Sequence, residues 1–347
     1  MEWAGYIHSL RNGKDDDLDA ALDLLLHPGN EIVKASLVRC MRSFRNERIP
    51  PVMLELLGDP SPLVRASAAT VLGSYLRPEV TEALCHATGD SIRLVRIRAA
   101  EALAELPLSG IRPRFRRDYE HALGEVRQSL LLFPDSEISH YNLARFLERR
   151  GQLAPAVSEY RKALILRPGY AEAAVNLGML YYECGNIDSA QYFFRHAIEN
   201  NPERLPAYID LALLYAEIGK SDAAAGLFRK AYRLRKNASA AYNLSVLYSG
   251  VHPDSALYWS EQAFELERDE VKYIYSYAFY LRENGKNDKA RSLLENAEDQ
   301  HNTSPDIYHL LGALYRNSGE EKRYRRLMER AAADPRLSPR EQQMFRK

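Results

Sequence analysis

Residues 171–204 read AEAAVNLGMLYYECGNIDSAQYFFRHAIENNPER, and the chain repeats their pattern until near its end. Gly151, Gly185 and Gly219 recur every 34 residues, as do Pro134, Pro168 and Pro202, and Gly285 and Gly319 keep that interval further on. Between Gly219 and Gly285 lie 66 residues, two units of 33, with the intervening glycine replaced around His252. The pairs Ala156/Ala163, Ala190/Ala197, Ala224/Ala231, Ala256/Ala263 and Ala290/Ala297 keep step. A fixed period of this length reports stacked supersecondary units. Each unit is predicted to be a helix, a tight turn at Gly, a second helix and a Pro after its end. Leu177, Gly178 and Tyr181 share one helical face, and the small Ala190 and Ala197 let the second helix approach closely. One such hairpin cannot bury its apolar stripe, whereas stacked copies can.

These residues resemble the tetratricopeptide repeat, whose pattern Leu177, Gly178, Tyr181, Gly185, Ala190, Phe194, Ala197 and Pro202 match position by position. Comparable sets are Leu211, Ala212, Tyr215, Ala224, Phe228 and Ala231, and Leu311, Gly312, Tyr315, Gly319 and Ala331. The resemblance implies an array over 119–336, with a partial helix carrying Ala122 and Val126 followed by six units. The units run 137–170, 171–204, 205–237, 238–270, 271–304 and 305–336. The fourth has lost one residue between Tyr248 and Ala256, and Tyr324 replaces a small residue in the sixth. Over 337–347, Ser338-Pro339-x-Glu341 reads as the start of a short helix that caps the array.

The first third has a different period. Val33-Lys34, Val64-Arg65 and Val95-Arg96 are each 31 apart, and Asp59 and Asp90 precede their Arg by six. DPSPLVRASAATVL and GDSIRLVRIRAAEAL resemble short HEAT repeats. About three are expected within 1–106, fitting residues 15–106, the first with Pro28 where the Asp would stand. In that family the Asp and Arg pair within and between repeats, so Asp59, Arg65, Asp90 and Arg96 are read as structural. Residues 107–118, opening with Pro107 and including Pro113, form a joint rich in helix breakers. The expected fold is an all-α, right-handed α-solenoid of HEAT-like repeats followed by a tetratricopeptide superhelix.

Lys and Arg number 47 and so do Asp and Glu, which removes any general attraction to nucleic acid or an anionic membrane. The longest apolar run, Tyr273 to Leu281, falls far short of a membrane helix. Cys40, Cys85 and Cys184 make neither a disulfide framework nor a zinc site, and Cys184 is read as a packing residue. Cys85-His86 lacks the second Cys that haem attachment requires, position 82 being Glu. The nucleotide-binding and hydrolase signatures GxGxxG, GxxxxGK[ST] and GxSxG are missing. No catalytic, metal or cofactor residues are assigned, and the chain is not expected to be an enzyme. Arg39, Arg42, Arg45 and Arg48 form an i, i+3 stripe, and Arg112, Arg114, Arg116 and Arg117 crowd the joint. Nucleic-acid binding is the sharp reading of the stripe. Residues 1–118 hold 16 Lys and Arg against 16 Asp and Glu, which favours an ordinary solvated face.

In tetratricopeptide arrays the first helix of each unit lines the concave surface through its positions 2, 5, 6, 9, 12 and 13. Position 6 here gives Asn142, Asn176, Asp210, Asn243, Ser276 and Leu310. Asn both donates and accepts, so a row of Asn can hold the backbone of an extended peptide. The row resembles the asparagine ladder of the O-linked N-acetylglucosamine transferases, interrupted by Asp210. The alternative is that these amides satisfy neighbouring groups of their own chain. Position 5 adds Tyr141, Tyr242 and Tyr275, and position 9 adds Met179, Leu213, Val246 and Phe279. The family's carboxylate clamp would need Lys and Asn where Tyr141 and Arg145 stand.

The domain order, together with VRIRAAEALAEL and VKYIYSYAFYLRENGKNDKA, also resembles the C-terminal half of bacterial multihaem c-type cytochromes. Haem motifs of that family are missing here, so its electron transfer does not carry over. Two functions stand beside each other: an adaptor holding a protein or extended peptide in the groove, and the interaction module of a multihaem cytochrome. The adaptor reading, with Met1 as the true start and no signal segment after it, implies the cytoplasm. The cytochrome reading implies the periplasm and association with c-type haems.

Overall fold

The structure, a computed structural model, describes residues 2–12, 17–300 and 303–346. The residues 13–16 at the start of the expected HEAT span, and Lys347 of the expected cap, lie outside that set. Among the described residues there are 21 α-helices, arranged as stacked antiparallel pairs. The chain divides into two compact units, Met1–Leu180 and Tyr181–Lys347.

The first unit opens with α1 (Glu2–Arg11), followed by the pairs α2 (Leu18–Leu25) and α3 (Glu31–Cys40), α4 (Ile49–Leu56) and α5 (Pro62–Leu72), and α6 (Pro78–Ala87) and α7 (Arg93–Ala102). Local chemistry sets these starts. Asn30 accepts the amides of Ile32 and Val33 at the N-cap of α3, and Pro sits in the first turn of α4, α5 and α6. Small residues on the second helices, such as Ala68, Ala69, Ala99 and Ala100, are buried.

A ladder of charge pairs crosses from pair to pair. Lys34 Nζ donates to Asp59 Oδ2 (2.7 Å), and Arg65 forks onto Asp90 through Nε and Nη2 (2.8 and 3.0 Å). Arg96 repeats the fork on Glu125 (2.8 and 2.6 Å). The carboxylate contacts therefore run between repeats. Within a repeat, Arg65 and Arg96 instead bond the backbone carbonyls of Asp59 and Asp90 (2.9 and 2.8 Å).

Glu125 belongs to α8 (Pro113–Leu130), so the HEAT-like ladder ends on the helix that opens the next array. Arg114, Arg116 and Arg117 lie in its first turns, and a 3-10 turn at Leu108–Gly110 precedes it. The fully buried Tyr119 of α8 donates from its hydroxyl to Leu103 O (2.9 Å) and accepts from Arg150 (2.9 Å), tying the end of α7 to the residue that closes the next helix. That helix is α9 (Glu137–Arg149), which packs antiparallel on α10 (Leu153–Leu166), and α11 (Ala171–Glu183) follows.

The second unit contains α12 (Ile187–Asn200) and the pairs α13 (Leu205–Glu217) with α14 (Ser221–Leu234), α15 (Ala238–Leu247) with α16 (Pro253–Leu266), α17 (Val271–Glu283) with α18 (Asn287–Asp299), and α19 (Pro305–Asn317) with α20 (Glu321–Ala333). The fourth hairpin corrects one expectation. Its turn glycine is not replaced at His252 but moved to Gly250, which adopts φ 73° after α15 stops early at Leu247. A residue with a Cβ pays about 1 kcal/mol or more in that left-handed region. Tyr324 is accommodated by Gly312, where a Cβ would meet the Tyr324 ring at 3.2 Å and Met328 at 3.0 Å. The chain ends in α21 (Pro339–Met344), opened by a capping box between Ser338 and Glu341, with Leu337 and Phe345 buried against the last pair.

Candidate functional site

The first helices of the tetratricopeptide-like pairs turn one face into their neighbours, and the other face is most open on α13. On α13 the residues Ala207, Tyr208, Leu211, Ala212, Leu214 and Tyr215 are buried, while Pro206, Leu213 and Glu217 are exposed and Asp210 is half-buried. These four lie at i, i+4, i+7 and i+11, a single stripe. The same stripe on α15 holds Asn243 and Val246, and on α17 it holds Lys272, Tyr275, Phe279 and Arg282. Leu213 is 44% exposed within α13, and Val246, next to the end of α15, is 48% exposed. Half-buried Tyr242, Tyr275 and Phe279 adjoin them in the repeat order, with Tyr275 and Phe279 rings 6.2 Å apart.

The position-6 row divides by environment. Asn142 and Arg145 are exposed on α9, and the half-buried Tyr141 lies against Tyr160 and Tyr170 at centroid distances of 5.8 and 5.1 Å. Asn176 is half-buried, and its amide donates to Tyr160 OH (3.1 Å) and Tyr141 OH (3.4 Å). Tyr160 in turn donates to Glu148 (2.6 Å); burial, and then that carboxylate, push its phenol well above the usual range. Met179 sits half-buried one turn beyond Asn176. Asn243 donates to Ser239 O of its own helix (2.8 Å), Ser276 caps Lys272 O (2.8 Å), and Leu310 is buried. The amide hydrogens of Asn176 and Asn243 are thus engaged within the chain, and Asn142 is the exposed amide of the row.

Asp210 differs from all of these. Burial pushes its carboxyl up to about 6, and the field of Arg204 only partly opposes this. Other charges on the face are answered: Tyr182 donates to Glu217, Lys272 lies over the rings of Tyr242 (4.9 Å) and Tyr273 (4.7 Å), and Arg282 pairs with Glu283 (2.7 Å). The positions of Lys272 and Arg282, 2 and 12 in their helix, belong to the lining stripe, and the sequence reading left them unnamed.

The arginine stripe is not one helical face. α3 ends at Cys40 and a 3-10 turn at Met41–Ser43 follows, so Arg39 and Arg42 border a shallow trough of about 360 Å³ with Ala66, Thr70, Leu94 and Arg98. Arg45 turns away to donate to Ser74 O (3.1 Å), and Arg48 pairs with Asp19. Arg112 and Arg114 both pair with Glu82, and Arg116 donates to Ile111 O (3.0 Å). Cys184 is exposed, contrary to its reading as a packing residue, because it follows the end of α11 on the open side of the turn. Cys85 is buried, which raises its thiol above the ordinary value. Among the described residues no helix is long and apolar enough to cross a membrane, and no group of three or more His, Cys, Asp or Glu could hold a metal ion.

Comparison with known proteins agrees with this architecture. A family model for HEAT repeats matches residues 18–104, and tetratricopeptide-repeat models match 114–171, 149–208 and 205–237. The chain therefore carries HEAT repeats followed by tetratricopeptide repeats. No curated protein matches the sequence. Similar solved structures include MamA, at 20% identity and TM-score 0.43 over 49% of this chain and 96% of that one. Another is YrrB, described as a TPR protein with an unusual peptide-binding site, at 20% and 0.43 over 53% and 96%. A third is PilF of Pseudomonas aeruginosa, at 21% and 0.46 over 62% and 97%. None of these comparisons supports the resemblance to multihaem cytochromes.

Proposed function

We propose that the chain is a non-enzymatic adaptor whose tetratricopeptide helices hold an extended segment of a partner protein on their uncovered faces. The observation that carries this reading is the exposure of Leu213 and Val246 at the same position of successive first helices, beside half-buried aromatic rings. An apolar stripe edged by amides and charges suits an amphipathic segment better than it suits water. Within the first unit, Asn142, Tyr141 and Arg145 of α9 and Met179 of α11 form a candidate surface of their own, with Asn176 donating to the Tyr141 hydroxyl. Within the second unit, Tyr242, Asn243, Tyr275 and Phe279 are grouped with Leu213 and Val246. The test compares partner retention by the wild-type chain and by a Leu213→Arg/Val246→Arg variant. Folded variant protein should lose the partner, and undiminished retention would refute the groove.

The second reading, an interaction module of a multihaem c-type cytochrome, rests on the sequence resemblance alone. Sequencing the DNA upstream of Met1 decides it: an in-frame run of CxxCH would support it, and an in-frame stop would remove it.

A further inference from the structure

Asp210 is half-buried, and Arg204 at the start of its helix acts on it only through its field, with no direct bond. Asp59, Asp90, Glu125, Glu159, Glu298 and Asp334 are likewise withdrawn from water, and each has a Lys or Arg within 2.8 Å. Among the described residues, no hydrogen bond or ion pair reaches the Asp210 carboxylate. A carboxylate withdrawn from water without a bonded cation costs stability, whereas an amide of nearly the same shape would cost less. The hairpins before and after carry that amide at the same position, as Asn176 and Asn243. An uncompensated local cost of this kind marks a group whose counterpart arrives from outside.

The surroundings say what that counterpart is. Asp210 lies on the uncovered face of α13, one turn before the exposed Leu213, and Glu217 continues the acidic edge. Lys272 and Arg282 lie on α17, whereas the stripe of α13 carries Asp210 and Glu217, with Arg204 at the N-cap before it. We propose that Asp210 receives a lysine or arginine side chain of the partner segment, whose neighbouring apolar residues rest on Leu213 and Val246. This rests on the groove reading above and adds the chemistry of the occupant.

The test pans a phage-displayed random dodecapeptide library against three full-length proteins: wild type, Asp210→Asn, and Leu213→Arg/Val246→Arg. Thermal melting of Asp210→Asn at or above the wild-type temperature establishes that it folds. The wild type should enrich peptides with a Lys or Arg flanked by apolar residues, and Asp210→Asn should lose the basic preference. Replacing that basic residue by norleucine in a synthetic peptide should weaken binding to wild type roughly 10-fold or more and leave binding to Asp210→Asn unchanged. Apolar peptides without a basic residue, enriched on wild type and lost on the double Arg variant, would overturn this proposal and leave the groove standing. Enrichment that the double Arg variant does not affect would overturn both.

Discussion

Asp90 and Asp210 carry the same side chain in opposite circumstances. Burial alone would raise Asp90, but hydrogen bonds from Arg65 and the Ile92 amide outweigh it and hold the carboxyl below its usual value. Asp210 has no such partner and is pushed up to about 6. A carboxyl whose folded value is raised binds its proton more tightly in the native state. Its contribution is therefore complete below the unfolded value near 4 and is lost as pH rises through about 6. Asp210→Asn should stabilise the protein at pH 7 by about 1–2 kcal/mol and flatten the pH dependence of stability between 4 and 6. Urea denaturation at several pH values reads this out, and an unchanged profile would contradict it. Arg65→Ala leaves Asp90 withdrawn from water without its fork and should cost about 2–3 kcal/mol in the same assay. The Asp–Arg spacing was legible in the sequence as a structural device. The isolation of Asp210 was not, because the absence of a partner depends on which side chains the fold brings near.

At the scale of the helical hairpin, period and punctuation predicted the pairs well, since Gly turns and Ala contacts are local requirements. What the period hid was compensation. The fourth turn keeps its left-handed glycine by shifting it to Gly250 when α15 shortens, and Gly312 makes room for Tyr324 where the usual small residue is lost. Gly250→Ala should therefore cost about 1 kcal/mol, measured as a lower denaturation midpoint with unchanged slope. The terminal cap read from Ser338, Pro339 and Glu341 forms a reciprocal capping box. Ser338→Ala should loosen α21, and Leu337 and Phe345 with it, at a cost of about 1 kcal/mol. Protection of α19 and α20 in hydrogen exchange should fall, while α5 and α7 keep theirs, because repeat stability is carried by nearest neighbours.

For the molecule as a whole, the order of HEAT repeats and then tetratricopeptide repeats was readable because each array announces its own period. Their manner of joining was less so. Glu125 accepts Arg96 as the next Asp of the first ladder would, and Tyr119 joins the two arrays from the same helix, yet neither residue stands in a repeat motif. The binding surface was legible as positions and not as chemistry: the stripe could be named, whereas the capture of Asn176 and Asn243 by their own chain required coordinates. Exposed aromatic residues on second helices, Tyr192 at 62% and Tyr258 at 50%, offer a rival surface. Photo-crosslinking separates the two. With p-benzoylphenylalanine at Leu213, Val246, Tyr192 or Tyr258 in the full chain, partner crosslinks should form from 213 and 246 and be weak from 192 and 258. Strong crosslinks from 192 and 258, with none from 213 and 246, would contradict the account.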